Sequence, residues 1–382
     1  MVKGFINYSG YKIPFVIEKH QMDLFTDDSV LTDFIKEYNN KENYILHGNY
    51  FYSGNQSQEG IFYVEKSLGC TCYLKCYILY GVTAKGVFDS IGIQSPTLDD
   101  VFRYRYVYLD MIRAGINLEI EPIDIYSFPF IMNNKDYNLS YRIGHNNKWG
   151  LLEDFDRKGE VLIPLEECNI QECNSITTVM QRLAMFMSAN SDLHITKIKL
   201  YKNGHPHSSF YSPIVQDDVI SCRDTVFYDF DVTRYVPKIL NNISKNANNE
   251  ITHSIPLGHL GNFDSLFSPQ RFIEQIVSFE YLFDKIDHKK AQDTKYPLKN
   301  ELSQMINEFP QISKSQRHSV EKISETIKEL RRKVAHGYSY YYDFNENHYA
   351  RYIMMLLDTL IRNMSLLYIG FTKEEIEKYP SY

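Results

Sequence analysis

The sequence predicts an α+β multidomain protein: a β-rich N-terminal region over residues 1–240, a linker over 241–268 and an all-α four-helix bundle over 269–382. Three observations carry this reading. Through the first two-thirds of the chain, short runs of β-branched and aromatic residues alternate with clusters of Gly, Asn, Ser or Lys, the pattern of strands and turns. Between about residues 239 and 268 the composition turns to Asn, Ser, Gly and His with no sustained period, as in a linker. Beyond it, apolar residues recur at helical spacing. At 382 residues the chain also exceeds the usual size of one domain.

Taken in order, the opening "MVKGFINYSGYKIPFVIEKH" alternates polar and apolar residues. Strands are predicted at "GYKIPFVIE", "NYILHGNYFY", "EGIFYVEK", "CTCYLKCYILYGV" and "HITKIKLYKNG". Two segments of this region read as helices. "DDSVLTDFIKEYNN" sets Val30, Leu31, Phe34 and Ile35 at helical spacing, and "NSITTVMQRLAMFMSANS" does so with Ile176, Val179, Met180, Leu183 and Phe186. The region divides at most into two halves and shows no internal repeat. Strand alternation in "GCTCYLKCYILY" puts Cys70, Cys72, Leu74, Cys76 and Ile78 on one face, where cysteine serves as a small hydrophobe. A zinc site would have to borrow Cys168 and Cys173, and neither group has paired CxxC spacing, so the core reading is preferred.

Four amphipathic segments follow the linker. "SPQRFIEQIVSFEYLFDKIDHKK" opens on a Ser-Pro helix start and repeats Phe272, Ile276, Phe279 and Phe283. The next repeats Leu298, Leu302, Met305, Ile306 and Phe309, and the third Val320, Ile323, Ile327, Leu330 and Val334. The last repeats Tyr349, Tyr352, Ile353, Leu356, Leu357, Leu360 and Met364. Four such helices with short connections predict an antiparallel bundle.

Composition limits function. A net charge of −7 supplies no general attraction to polyanions, so any contact with RNA must come from a local patch. No signal peptide is visible, and the most apolar segment carries Asp358 and Arg362, which a membrane span would not readily accept. A cytoplasmic protein without a membrane partner is expected. Neither GxxxxGK[ST] nor GxGxxG occurs, and no cofactor or metal is expected. His205 and His207 sit at a predicted hairpin turn without a neighbouring carboxylate or cysteine, and around Arg142, His145 and Trp149 nothing fixes a catalytic geometry.

The stretch "LRRKVAHGYSYYY" (330–342) ends the third segment and admits two readings. In the first it is a helix terminus: Arg331, Arg332, Lys333 and His336 complement the macrodipole and Gly337 supplies a left-handed cap. In the second it is chemical. A histidine titrates near neutrality and can move the proton of a ribose 2′-hydroxyl, while an arginine forks hydrogen bonds onto the phosphorane-like transition state. Five residues apart, Arg331 and His336 project about 140° from one another on a regular helix, so a second copy related by a two-fold axis is the natural way to complete one groove. Tyr338, Tyr340, Tyr341 and Tyr342 either stack on RNA bases or pack. Glu280 interrupts the apolar side of the first segment, seven residues after Ile273 and three after Val277, so it is expected near the buried face, either in the site or in a structural ion pair with an arginine.

R-x-x-x-x-H at the end of a third bundle helix resembles the HEPN ribonuclease domain. The longer layout is similar to the ApeA-like anti-phage proteins, with a β-rich region, a linker, "RFIEQIVSFEYLFDK" and then "ELRRKVAHGY". The resemblance implies a HEPN-like bundle and a homodimeric, metal-independent endoribonuclease that cuts RNA, with tRNA as the substrate class, in abortive infection. By the same resemblance the N-terminal region would sense a phage-derived trigger or restrain the enzyme. The motif places Arg331 and His336 in the catalytic roles, and Tyr338 falls where some members carry a tyrosine. Arg332 and Lys333 would support RNA binding. The family usually has Asn, Asp or His after the arginine; Arg332 departs from that and cannot accept a hydrogen bond. A catalytically silent bundle used for dimerisation or nucleic-acid binding is the alternative.

Overall fold

The computed structural model describes residues 1–25, 28–39, 41–53, 56–80, 88–116, 123–143, 159–166, 169–188, 195, 197–212, 232–245, 267–286, 298–309, 312, 319–336 and 347–378. Contacts divide the chain into two units, residues 1–181 with 194–221 and residues 182–193 with 222–382.

The first unit is built on antiparallel strands. β1 (Val2–Tyr8), β2 (Tyr11–Glu18), β3 (Gln21–Leu24), β4 (Glu42–Ser53), β5 (Gln56–Leu68) and β6 (Thr71–Tyr80) pair in the order β3-β2-β1-β4-β5-β6. Pairing of β3 with β6, through Met22 opposite Cys72, closes them into a six-stranded barrel. Closure removes the sheet edges that such strands would otherwise expose. Alternation drives it: Ile6, Ile13, Phe15, Ile17, Leu46 and Phe62 point into one core, and Phe34 of α1 (Asp28–Tyr38) packs into the same cluster. Gly4 lets β1 lie close against β4, because a Cβ there would collide with the Asn49 carbonyl.

The cysteine strand departs from simple alternation. Cys72 and Leu74 join the barrel core, but the register with β5 shifts around Val64, and beyond it Tyr77 and Leu79 take the core positions. Cys76 and Ile78 are buried as well, so both faces of this end of β6 are covered. Cys70 lies outside the predicted face, exposed at the turn before the strand. Cys168 lies outside the described residues.

From β6 the sheet continues through β12 (His205–Tyr211), β11 (Lys197–Lys202), β7 (Ser90–Gln94), β10 (Gly159–Pro164), β9 (Lys135–Ile143) and β8 (Ile123–Met132). Two hairpins turn on left-handed residues, Asn133–Asn134 between β8 and β9 and Asn203–Gly204 between β11 and β12. His205 and His207 therefore begin a strand and are not turn residues. Helices α2 (Pro96–Val101) and α3 (Tyr104–Arg113) follow β7, and Phe102 stacks on Tyr141 with ring centroids 4.4 Å apart. Helix α4 (Ile170–Ser188) follows β10. Arg142 belongs to a buried polar knot: its Nε donates to Glu160 at 2.9 Å, and the Tyr201 hydroxyl donates to the same carboxylate at 2.7 Å. Gly92 has no side chain to compete for that space. His145 and Trp149 lie outside the described residues.

The second unit contains α5 (Val232–Lys245), α6 (Pro269–Ile286), α7 (Leu298–Glu308), α8 (Val320–Ala335), α9 (His348–Tyr368) and α10 (Lys373–Glu377). All four predicted amphipathic helices form, and most of each apolar repeat is buried, with Phe272, Leu302, Ile327 and Leu357 each at 0% exposure, while Val320, Val334, Tyr349 and Tyr352 are half-buried. The expected four-helix bundle does not. The main contacts set α6 on α9, and α8 on both α7 and α6, which is a row and not a closed four-cornered bundle. Further helices complete the core. Asn242 of α5 donates to the Ile369 carbonyl at 3.0 Å, Tyr235 stacks on Phe371 at 5.2 Å, and Lys238 pairs with Glu375 of α10 at 3.1 Å. An expected boundary at residue 240 thus falls inside α5, and the β-rich description stops short of that helix. The physical reason is that α5 carries its own apolar face, with Val236, Ile239, Leu240 and Ile243 buried. Residues 246–266 of the expected linker lie outside the described residues.

Among the described residues no helix is long and apolar enough to cross a membrane. Asp358 of α9 instead accepts hydrogen bonds from Arg271 at 2.9 Å and Gln275 at 2.7 Å, tying α9 to α6.

Candidate functional site

Helix α8 is set by its ends and one face. Ser319 caps the N-terminus by accepting the Lys322 N–H, while Ile323, Ser324, Ile327 and Leu330 are buried. The last turn leaves Arg332 and Lys333 exposed and Arg331 half-buried. His336 is the C-cap residue, exposed, with its backbone N–H donating to the Arg332 carbonyl at 3.1 Å.

Leu330 faces the interior, which turns the neighbouring Arg331 toward α6, where its guanidinium donates to Glu280 at 3.1 Å. The pair is half-exposed, with side-chain exposures of 42% and 35%. Glu280 is thus the ion-pair partner of an arginine, one of the two roles its position suggested. Val277 is 58% exposed, and Glu280 sits at the margin of the buried face, near it as its spacing suggested.

Two carboxylates missed in the sequence join the pair. Burial raises the pKa of Glu280, Arg331 opposes the rise, and Asp284 one turn along α6 adds to it. Glu301 of α7 is likewise raised, first by burial and then by Glu280 and Asp284, against Arg331. Where α6, α7 and α8 meet, the Arg331 guanidinium pairs with Glu280 and its charge reaches Glu301, while the charge of Asp284 acts on both carboxylates. The i, i+4 spacing of Glu280 and Asp284 is a signal that sequence can offer; Glu301 has none, because its part depends on α7 packing against α8.

The structure brings together Arg331 and Glu280 and puts His336, Arg332 and Lys333 on the same helix end. Tyr338 and Tyr340–Tyr342 lie outside the described residues. Among the described residues no group of three His, Cys, Asp or Glu side chains is arranged to hold a metal. Cys72 and Cys76 are buried, and burial pushes the Cys76 thiol up to about 12, which suits core packing and not thiolate chemistry. Compared with family models, with curated proteins and with solved structures, the chain matches none of them.

Proposed function

We propose that the C-terminal end of α8 is the working part of an RNA-cleaving enzyme, an endoribonuclease that needs no metal. The observation that carries the reading is that Arg331, half-exposed and oriented by Glu280, shares one helix end with an exposed His336 and two further exposed cations. His336 takes the proton of the ribose 2′-hydroxyl, whose oxygen then attacks the adjacent phosphorus. Arg331 stabilises the charge that builds on the non-bridging oxygens. As the bond to the 5′-oxygen breaks, that oxygen takes a proton from the imidazolium of a second copy's His336. A 2′,3′-cyclic phosphate and a 5′-hydroxyl remain. Arg332 and Lys333 hold flanking phosphates. Structured RNA such as tRNA is the substrate class, a homodimer the working form, and anti-phage defence the setting suggested by the motif's resemblance to the HEPN ribonucleases.

The full-length protein incubated with bulk tRNA in EDTA tests this, beside His336→Ala, Arg331→Ala and Glu280→Gln. Cleavage with cyclic phosphate ends by the parent, loss with the first two and a drop of about tenfold with the third are expected, since a positioning carboxylate acts through Arg331. Equal cleavage by parent and His336→Ala would sink the reading.

A further inference from the structure

The outer surface of the barrel carries an arrangement that neither the core nor the α8 site uses. On β1, Gly4 and Ile6 point inward, so Lys3, Phe5 and Asn7 point out. On β4, Tyr44, Leu46, Gly48 and Tyr50 are buried, so His47, Asn49 and Phe51 point out beside them. Phe5 lies opposite Asn49, and the same register carried on sets Lys3 beside Phe51 and Asn7 beside His47. The two rings meet edge to face with centroids 6.2 Å apart. Phe51 is 50% exposed. Lys12 of β2 reaches over the Phe5 ring at 4.5 Å. Lys3, Lys12, Asn7 and His47 are all exposed; two exposed acids border this surface, Glu59 of β5 opposite Asn49 and Glu18 of β2 diagonal to Lys3.

From this surface we infer that the barrel binds single-stranded nucleic acid. Two outward-facing rings offer surfaces on which unpaired bases stack, and two lysines beside them neutralise phosphates, the combination that sequence-tolerant single-strand binders use. The asparagines supply donors and acceptors for base edges. A protein partner fits less well, because lysine is depleted from the centres of protein interfaces, whereas here both lysines sit among the rings. A duplex is excluded by the same chemistry, since its bases are already stacked on one another. In a chain of net charge −7 such a surface is the local patch that contact with a polyanion requires. The inference does not rest on the ribonuclease reading, which concerns other residues.

The test uses the full-length protein and a fluorescein-labelled, 2′-O-methylated single-stranded oligouridine of about 12 nucleotides, within the site sizes such surfaces cover. The methyl groups remove the nucleophile, so cleavage cannot disturb the measurement. Anisotropy titrations at low salt should show binding by the parent. Phe5→Ala and Phe51→Ala should each weaken it about tenfold and the double variant more, with melting temperatures matched to the parent. Lys3→Ala with Lys12→Ala should make the log–log salt dependence shallower by about 1.4. No binding by the parent, or parent-like binding by the double phenylalanine variant, would overturn the inference. So would self-association of the parent abolished by Phe51→Ala, which would assign the face to a second copy.

Discussion

Arg331 is pulled in two directions by its surroundings. Glu280 fixes its guanidinium, and the combined charge of Glu280, Asp284 and Glu301 outweighs its own. Glu301, raised first by burial and then by that excess, shows the effect on stability. A carboxyl whose folded pKa lies above its unfolded value binds its proton more tightly when folded. Stability is then greatest below the ordinary carboxylate range and falls as pH rises through that range and on through the raised value. At neutral pH an ionised Glu301 therefore opposes folding. Its partial exposure keeps the effect small, on the order of 0.5 kcal/mol. Replacing Glu301→Gln should raise the melting temperature by about 1–2 °C at pH 7 and leave it unchanged below about pH 4. Thermal melts at the two pH values decide the matter, and a lower melting temperature at pH 7 would show that Glu301 is held by a partner and not repelled.

At the scale of elements, the sheet beyond the barrel is held by a polar contact that strand alternation does not reveal. Arg142 on β9, Glu160 on β10 and Tyr201 on β11 converge in the interior, and the tyrosine pKa is pushed up by burial and by the carboxylate. Removing one partner leaves the other charge buried and alone. Arg142→Ala should cost about 3–5 kcal/mol in urea unfolding, whereas Arg142→Met combined with Glu160→Leu should recover most of it. A single variant as stable as the parent would show that water replaces the guanidinium. Arg142 was read in the sequence only beside His145 and Trp149, with nothing to fix a geometry, because its partners lie 18 and 59 residues away. The same limit separates what was legible from what was not. β2, β4, β5 and β6 follow from local alternation, but barrel closure depends on β3, four residues long, meeting β6. Helix α5 was hidden by its asparagines, which read as linker. In the fold, Asn241 and Asn242 donate back to the carbonyls of Pro237 and Lys238 and so serve the helix. The apolar stripes of α6 to α9 were legible because each is periodic on its own; which stripe meets which was not, and the four-helix bundle was the wrong solution. For the candidate site, Arg331, His336 and Glu280 were visible from spacing and from an acid at the margin of a stripe, whereas Glu301 enters only through helix packing.

For the whole molecule the governing number is a net charge of −7, carried by a chain for which two contacts with a polyanion are proposed. Long-range repulsion means that RNA is held only through local cations, and each cation that displaces a counterion leaves a signature in salt. Arg332 and Lys333 are exposed on the last turn of α8 and, under the proposed function, hold phosphates without entering the chemistry. Removing both should weaken the log–log dependence of the apparent RNA affinity on salt by at least about 1.4, at about 0.7 for each single-strand phosphate contact. His336→Ala should leave that slope intact while abolishing turnover, since it removes a proton carrier and not a fixed charge. RNA affinity measured by anisotropy across a salt series for the three proteins, beside their cleavage rates, separates the roles. A salt slope unchanged by loss of Arg332 and Lys333 would place the RNA backbone elsewhere on the molecule, and the cations would then be no more than the complement of a helix dipole.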